Sequence, residues 1–91
     1  MGYRRLQGVP LPDKKQGQIY FTCLNYETER KYTQMKIDRL CDSAGGEYSS
    51  ALKELLTSGK TVQAVSMKFN LSPETLQKCR RRFYTSWNRR K

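Results

Sequence analysis

Apolar side chains in the last third of the chain recur at helical spacing in two consecutive segments. In the first segment, positions i, i+3, i+4 and i+7 form one small or apolar face: Val62, Val65, Ser66 and Phe69. In the second segment, an apolar stripe follows the spacing i, i+3, i+7 and i+11: Leu76, Cys79, Phe83 and Trp87. The spacing predicts two consecutive helices, each with one buried face.

The residues between these two segments predict a tight turn. Asn70 tolerates the left-handed backbone conformation that ends a helix. Ser72 is suited to cap the next helix, and Pro73 follows at a position where its missing N–H costs nothing. Glu74 adds negative charge to the first turn, where the helix dipole favours it. Leu71 is left as an apolar plug between the two helices.

Two further helices are predicted upstream, at 33–44 and 48–58. Thr33 is the expected N-cap of the first of these, and a Gly-Gly pair at 45–46 ends it. Gly59 ends the second, and Thr61 is suited to cap the helix that follows. Each carries an apolar stripe at helical spacing. The stripes are Ile37, Leu40, Cys41 and Ala44 in the first, and Tyr48, Ala51, Leu52, Leu55 and Leu56 in the second.

The N-terminal part of the chain is less clearly patterned. Residues 1–18 are interrupted by glycine and proline and carry four basic residues, so they are predicted to form a flexible basic arm. Such an arm either follows a DNA groove or is simply disordered. Residues 19–26 (IYFTCLNY) fit a helix or a strand, and the chain holds no second strand candidate. A single helical domain is therefore predicted at 19–91.

The charge of this 91-residue chain is concentrated at its C-terminal end. The net charge is +10 and the isoelectric point about 9.9. Residues 1–59 hold nine Lys or Arg against seven Asp or Glu, a net of +2, whereas residues 60–91 hold nine against one, a net of +8. Small proteins with such a basic segment usually bind a polyanion, either nucleic acid or an anionic membrane surface. The charge distribution therefore favours a partner that meets the last two helices.

Histidine is absent, and the three cysteines, Cys23, Cys41 and Cys79, are widely spaced without a Cys-x-x-Cys pair. This pattern excludes zinc-finger ligation, and it contains no arrangement of residues typical of a catalytic site. No metal, no cofactor and no small-molecule substrate is therefore expected. Reduced cysteines favour a cytoplasmic protein. No apolar run approaches the length of a membrane span.

The segment 61–87 resembles a helix-turn-helix, as in small transposase DNA-binding domains and region-4-like sigma modules. The resemblance rests on the apolar, small and turn residues at matching positions: Val62, Val65, Ser66, Phe69, Asn70, Leu71, Leu76 and Cys79. Two positions depart from the common pattern, since Asn70 replaces glycine and Ser66 replaces alanine. The resemblance covers about a third of the chain. It implies a mainly α protein with a small tri-helical helix-turn-helix core, three to five helices in all, behind the basic arm.

The resemblance also implies that the N-terminal part of the last helix enters the major groove. There Gln pairs with adenine, and Arg or Lys with guanine. The candidates for base contact are Ser72, Glu74, Thr75, Gln77, Lys78 and Arg81. The candidates for phosphate contact are Lys60, Arg80, Arg82, Arg89, Arg90 and Lys91.

These observations predict a sequence-specific, double-stranded DNA-binding protein that is not an enzyme. A small transcriptional regulator from a phage or mobile element fits best. Alternatives within the same class are a terminase small subunit or the DNA-binding subunit of a transposase. From other classes, an RNA-binding or interaction protein that uses only its basic tail remains open, as does an anionic-membrane binder. The pattern leaves the oligomeric state open, a homodimer included.

Overall fold

The computed structural model describes residues 11–87, and these residues form five α-helices. In chain order the helices are α1 (Asp13–Leu24), α2 (Lys31–Gly45), α3 (Ser49–Ser58), α4 (Val62–Phe69) and α5 (Pro73–Trp87). Short 3-10 turns at Tyr26–Thr28 and Gly46–Tyr48 lie on either side of α2. The described range contains no strand, so the prediction of a mainly α fold is confirmed.

Helix α1 occupies part of the segment that was expected to be irregular. It also shows that most of residues 19–26, for which a helix and a strand were both open, are helical. It begins at Asp13, so the prediction of an irregular segment up to residue 18 is wrong from that residue onwards. Pro12 precedes the helix in an extended conformation, and the fully buried Gln16 donates a hydrogen bond from Nε2 to the carbonyl oxygen of Leu11, over 3.1 Å. Of the window 19–26, all but the last two residues belong to this helix. Residues 1–10 of the predicted arm lie outside the described part.

The starts of α2 and α3 differ slightly from the sequence prediction. Helix α2 begins at Lys31 rather than at Thr33, and the residue before it, Arg30, makes no side-chain cap. Helix α3 begins at Ser49, because Tyr48 belongs to the preceding 3-10 turn. At the other end of α3, Gly59 has a left-handed φ of 79°, as the predicted helix stop requires.

The larger hydrophobic cluster joins α1, α2, α3 and α5. Its buried members are Ile19, Cys23, Ile37, Cys41, Ala44, Leu52, Leu56, Cys79, Phe83 and Tyr84. Phe83 is fully buried there and Trp87 packs at its edge, in agreement with the predicted stripe of α5. Tyr84 does not belong to that stripe but is only 2% exposed, because α5 packs against α1 as well as α2 and α3.

A smaller cluster lies between α3, α4 and α5. Its buried members are Ala51, Leu55, Val65 and Leu76, with Val62, Phe69 and Leu71 packed around them. Leu76 and Phe83 belong to the same predicted stripe of α5, and both are fully buried. They lie in different clusters, because the two side chains are one full heptad apart on the helix.

A polar network ties the first 3-10 turn to α2 and α3. The ammonium of Lys53 lies 2.9 Å from Asp38 Oδ1 and donates a hydrogen bond to the hydroxyl of Tyr26, over 3.1 Å. Tyr26 in turn donates to the Asp38 carboxylate. These hydrogen bonds raise the pKa of Lys53, Asp38 being the main cause, so its ammonium stays charged at neutral pH.

Candidate nucleic-acid interface

The connection between α4 and α5 is a three-residue turn around a left-handed residue. Asn70 has φ 60° and ψ 47°, and it is the only non-glycine residue of positive φ among residues 11–87. The N–H of Leu71 donates to the carbonyl oxygen of Ser66 over 2.8 Å, which closes the C-terminal end of α4. Asparagine is the side chain that best tolerates this conformation after glycine. The predicted turn at Asn70 is confirmed.

Both helices of the pair begin with a side-chain cap. Thr61 Oγ1 accepts a hydrogen bond from the N–H of Ala64 over 3.1 Å, and Ser72 Oγ accepts one from the N–H of Thr75, also over 3.1 Å. Each cap satisfies one of the N–H groups that a helix start leaves without an intrahelical partner. The two caps fix where α4 and α5 begin, as the sequence predicts.

Helices α3, α4 and α5 pack on one another as three sides of a small triangle. Ser66 on α4 is 2% exposed, and its hydroxyl donates to the carbonyl oxygen of Gln63 over 3.0 Å, so the buried polar atom is satisfied inside its own helix. Val65 and Leu76 fill the space between the helices without exposure. This is the tri-helical arrangement that the predicted fold requires; we refer to Val62–Phe69, the turn and Pro73–Trp87 together as the α4–α5 unit.

The outward side of α5 carries four of the six candidate base-contact residues, which we call the reading face: Glu74, Gln77, Lys78 and Arg81. Glu74 and Lys78 are exposed, and Gln77 and Arg81 are half-buried. The other two candidates, Ser72 and Thr75, interact with each other at the helix start, where their hydroxyl oxygens are 3.0 Å apart. Their side chains are therefore engaged in the cap, while the four residues of the reading face point away from the core.

The three consecutive arginines of α5 lie in three different surroundings. Arg81 belongs to the reading face. Arg82 donates a hydrogen bond from Nη1 to the carbonyl oxygen of Ala44, over 3.2 Å, at the C-terminal end of α2. Arg80 lies on the opposite side of the helix, beside Tyr84 and α1. Arg80 and Arg82, both candidates for phosphate contact, therefore lie on different sides of α5, because each residue of an α-helix adds a rotation of about 100°.

A shallow groove runs along α5 beside the end of α2. Its charged residues are Lys78, Arg81 and Arg82, and Ser43, Thr85 and Ser86 supply hydroxyl groups. No acidic side chain lines it. Ser43 was not among the residues predicted from the sequence, because only the packing of α2 on α5 brings it to the groove. The result is a positive, hydroxyl-rich strip that continues the reading face.

Glu54 on α3 pairs with the two lysines nearest the ends of α4. Its carboxylate lies 2.9 Å from Nζ of Lys60 and 2.8 Å from Nζ of Lys68. The hydrogen bonds from Lys68 and Lys60 hold the pKa of Glu54 below its usual value, so it stays ionised at neutral pH. Lys60 is thus a candidate phosphate contact that is already paired, and Lys68 is a cation that the sequence prediction left out. The last three candidates, Arg89, Arg90 and Lys91, lie outside the described residues.

Two other kinds of site find no support in residues 11–87. No three His, Cys, Asp or Glu side chains of this range come together in a way that could hold a metal ion. None of its helices combines the length and the apolar character needed to cross a membrane.

No protein-family model matches the chain, and searches of curated proteins and of solved structures find no match either. The α4–α5 unit is therefore described by its own geometry alone. It has a left-handed residue at the turn, a capped helix on each side, and a small buried residue on α4.

Proposed function

We propose that the protein binds double-stranded DNA through the α4–α5 unit, with the N-terminal half of α5 in the major groove, and acts as a small transcriptional regulator. The observation that carries this proposal is the reading face itself. It is a polar and basic helix surface at the start of α5, presented outward by a helix whose other sides are packed against α1, α2, α3 and α4.

The dimensions of the unit suit a major groove. An α-helix with its side chains is about 10–12 Å across, and the major groove of B-DNA is about 12 Å wide. Helix α5 is capped at its start and held along its inner side by Leu76 and Phe83, both fully buried. A rigid helix loses little conformational freedom on binding, so its polar residues meet base edges in a fixed register.

Within the reading face, each residue has a defined chemical role in the proposal. Lys78 and Arg81 donate to the O6 and N7 acceptors of guanine, and Gln77 pairs with adenine through its amide. Glu74 accepts from the exocyclic amine of cytosine, and it discourages a phosphate from lying against the first turn. Phosphate contacts by Arg89, Arg90 and Lys91, and by the lysines at the two ends of α4, set the overall affinity rather than the sequence preference.

The experiment starts from a duplex selected out of a random pool by the wild-type protein. The affinity for this duplex and for a scrambled one is then measured for wild type, Gln77→Ala, Arg81→Gln and a control, Lys31→Gln. Lys31 is exposed at the start of α2 and carries the same charge change as Arg81→Gln. A lost bidentate contact is worth about 1–3 kcal/mol, so the ratio of specific to non-specific affinity should fall roughly 5- to 150-fold for the reading-face variants and stay unchanged in the control.

Salt dependence separates this proposal from its rivals. If about five phosphates are contacted, log K should fall with log[salt] at a slope of about −4 to −5. A variant lacking residues 89–91 should lose affinity for both duplexes together and show a flatter slope. A wild-type protein that selects no duplex, or that binds single-stranded RNA or anionic vesicles more tightly than any duplex at the same salt, would overturn the proposal.

A further inference from the structure

A second cavity, lined by both apolar and polar residues, lies on another side of α5 from the reading face. Helix α1, the junction between α3 and α4, and the middle of α5 enclose a cavity of about 210 Å³. Its polar and backbone walls come from Tyr20, Gly59, Thr61, Arg80 and Tyr84. The cavity is separate from the groove that contains Lys78 and Arg81, with which it shares no residue.

Arg80 is the unusual member of this wall. Its side chain is mostly withdrawn from solvent, and its Nε is fully buried without a hydrogen-bond partner. No carboxylate of residues 11–87 forms an ion pair with it. Burial, with the neighbouring charge of Arg81, lowers the pKa of the guanidinium. A guanidinium still remains protonated at neutral pH, so the cavity contains an uncompensated positive charge.

The start of α4 also lines this cavity. Thr61 and Val62 line it, and the Thr61 side chain takes up only one of the N–H groups at this helix start. The remaining N–H groups and the helix dipole favour an anion at this position. Lys60 also lines the cavity, but its ammonium is paired with Glu54, so Arg80 is the cation available to a ligand.

We propose that this cavity binds a phosphate group between the Arg80 guanidinium and the N-terminus of α4. The cavity is lined both by Arg80 of α5 and by the start of α4, and a tetrahedral oxyanion offers these two groups of donors more acceptor oxygens than a planar carboxylate does. The guanidinium fork is the side chain best matched to phosphate oxygens. The occupant is either a free phosphate or a phosphate of a DNA backbone, and only the second source rests on the proposed function.

Arg80 should affect the stability of the protein differently with and without phosphate, which a surface arginine would not do. Without a ligand, the buried Nε–H of Arg80 has no hydrogen-bond partner and opposes folding, so Arg80→Met should be as stable as wild type or more stable in a chloride buffer. With phosphate, the wild type gains stability in proportion to the logarithm of the phosphate concentration above its Kd. Wild type should therefore become the more stable of the two proteins as phosphate is added.

The test is thermal unfolding of wild type, Arg80→Met and Arg81→Met in rising inorganic phosphate at constant ionic strength, with acetate as the matched planar anion. The Tm of wild type and of Arg81→Met should rise by several degrees for each tenfold increase in phosphate above Kd, and that of Arg80→Met should not. The direct readout is the Arg80 Nε–H resonance in a nitrogen-edited NMR spectrum, which should shift on addition of phosphate and saturate.

Measurements of DNA binding distinguish the two sources of the phosphate. If DNA supplies it, Arg80→Met should weaken binding to all duplexes alike, and inorganic phosphate should compete with wild-type DNA binding beyond the effect of ionic strength. If free phosphate is the ligand, DNA affinity should match that of a charge-matched control, Lys31→Met. Equal stabilisation of wild type and Arg80→Met by phosphate, or a larger effect of acetate than of phosphate, would overturn the proposal whether or not the protein binds DNA.

Discussion

The guanidinium of Arg82 donates a hydrogen bond from Nη1 to the backbone carbonyl oxygen of Ala44, over 3.2 Å. Ala44 lies in the last turn of α2, where carbonyl groups lack intrahelical partners and the dipole favours a cation. Arg82 thus fastens α5 to the end of α2, 38 residues away in the sequence. It is a structural residue at the edge of the groove rather than a free cation.

This contact predicts different effects for two neighbouring arginines. Arg82→Gln should lower the free energy of unfolding by about 1 kcal/mol, because a charge-assisted hydrogen bond to the helix end is lost. Arg81→Gln should leave stability within about 0.5 kcal/mol of wild type, since it lies on the open face. Urea unfolding of both variants checks the difference, and equal losses would show that the Ala44 contact contributes nothing.

Replacing Glu54 is expected to increase the affinity for DNA. Because its carboxylate holds Lys60 and Lys68, Glu54→Gln should release both ammonium groups towards solvent and remove one negative charge. On the proposed function, this substitution should strengthen DNA binding for all sequences alike and steepen the salt slope by up to about two phosphate contacts. Glu47→Gln is the control, because Glu47 is exposed in the turn before α3 and pairs with neither lysine. A weaker affinity for Glu54→Gln would mean that the ion pairs position α4 for binding.

The left-handed conformation of Asn70 predicts the order of stability of three variants at this position, an order that side-chain size alone would not give. The left-handed backbone at this turn suits glycine and is tolerated by asparagine. Asn70→Gly should therefore change stability little, whereas Asn70→Ala should lose about 1 kcal/mol and Asn70→Val more. Denaturant midpoints of the three variants measure the order. If alanine were equal to glycine, the turn would have another conformation in solution.

The buried thiols predict a loss of stability in alkali. Burial raises the pKa of Cys23 and of Cys41 from 9.0 to about 12. Both are protonated in the folded and unfolded chain below pH 9, so their contribution is intact there. As the pH rises from 9 towards 12, the unfolded chain loses these protons first, and stability falls by at most about 1.4 kcal/mol per pH unit for each thiol.

The measurement for the thiols is the urea midpoint between pH 7 and pH 10.5, for wild type and the Cys23→Ala, Cys41→Ala double variant. The double variant should start less stable, because two buried side chains are shortened, but its midpoint should fall less steeply above pH 9. If the midpoints of the two proteins fell in parallel with pH, the loss of stability in alkali would come from tyrosine and lysine instead.

Local signals in the sequence were sufficient to place the α4–α5 unit. The caps at Thr61 and Ser72 and the turn at Asn70 are made by neighbouring residues, so the sequence contains all the partners. The start of α1 was missed because Gly17 lowers local helix propensity, whereas burial of Ile19 and Cys23 against distant helices offsets that cost.

The roles of the arginine run could not be read in the same way. Residues 80–82 form one basic block in the sequence, and nothing local distinguishes them. Their surroundings are set by α1, which encloses Arg80, and by α2, whose last turn receives Arg82. Only Arg81 is left on the reading face, so the number of cations offered to a base edge is smaller than the block suggests.

The two clusters of the core share two elements, α3 and α5. Leu52 and Leu56 face the larger cluster, while Ala51 and Leu55 face the smaller one that holds α4. Helix α4 spans two turns and contributes Val65 as its one buried apolar side chain, so little free energy opposes its separate opening. The unfolding of this protein is therefore expected to proceed in stages. Helix α4 would detach first, and a partner that holds it in place would raise the cooperativity of the whole chain.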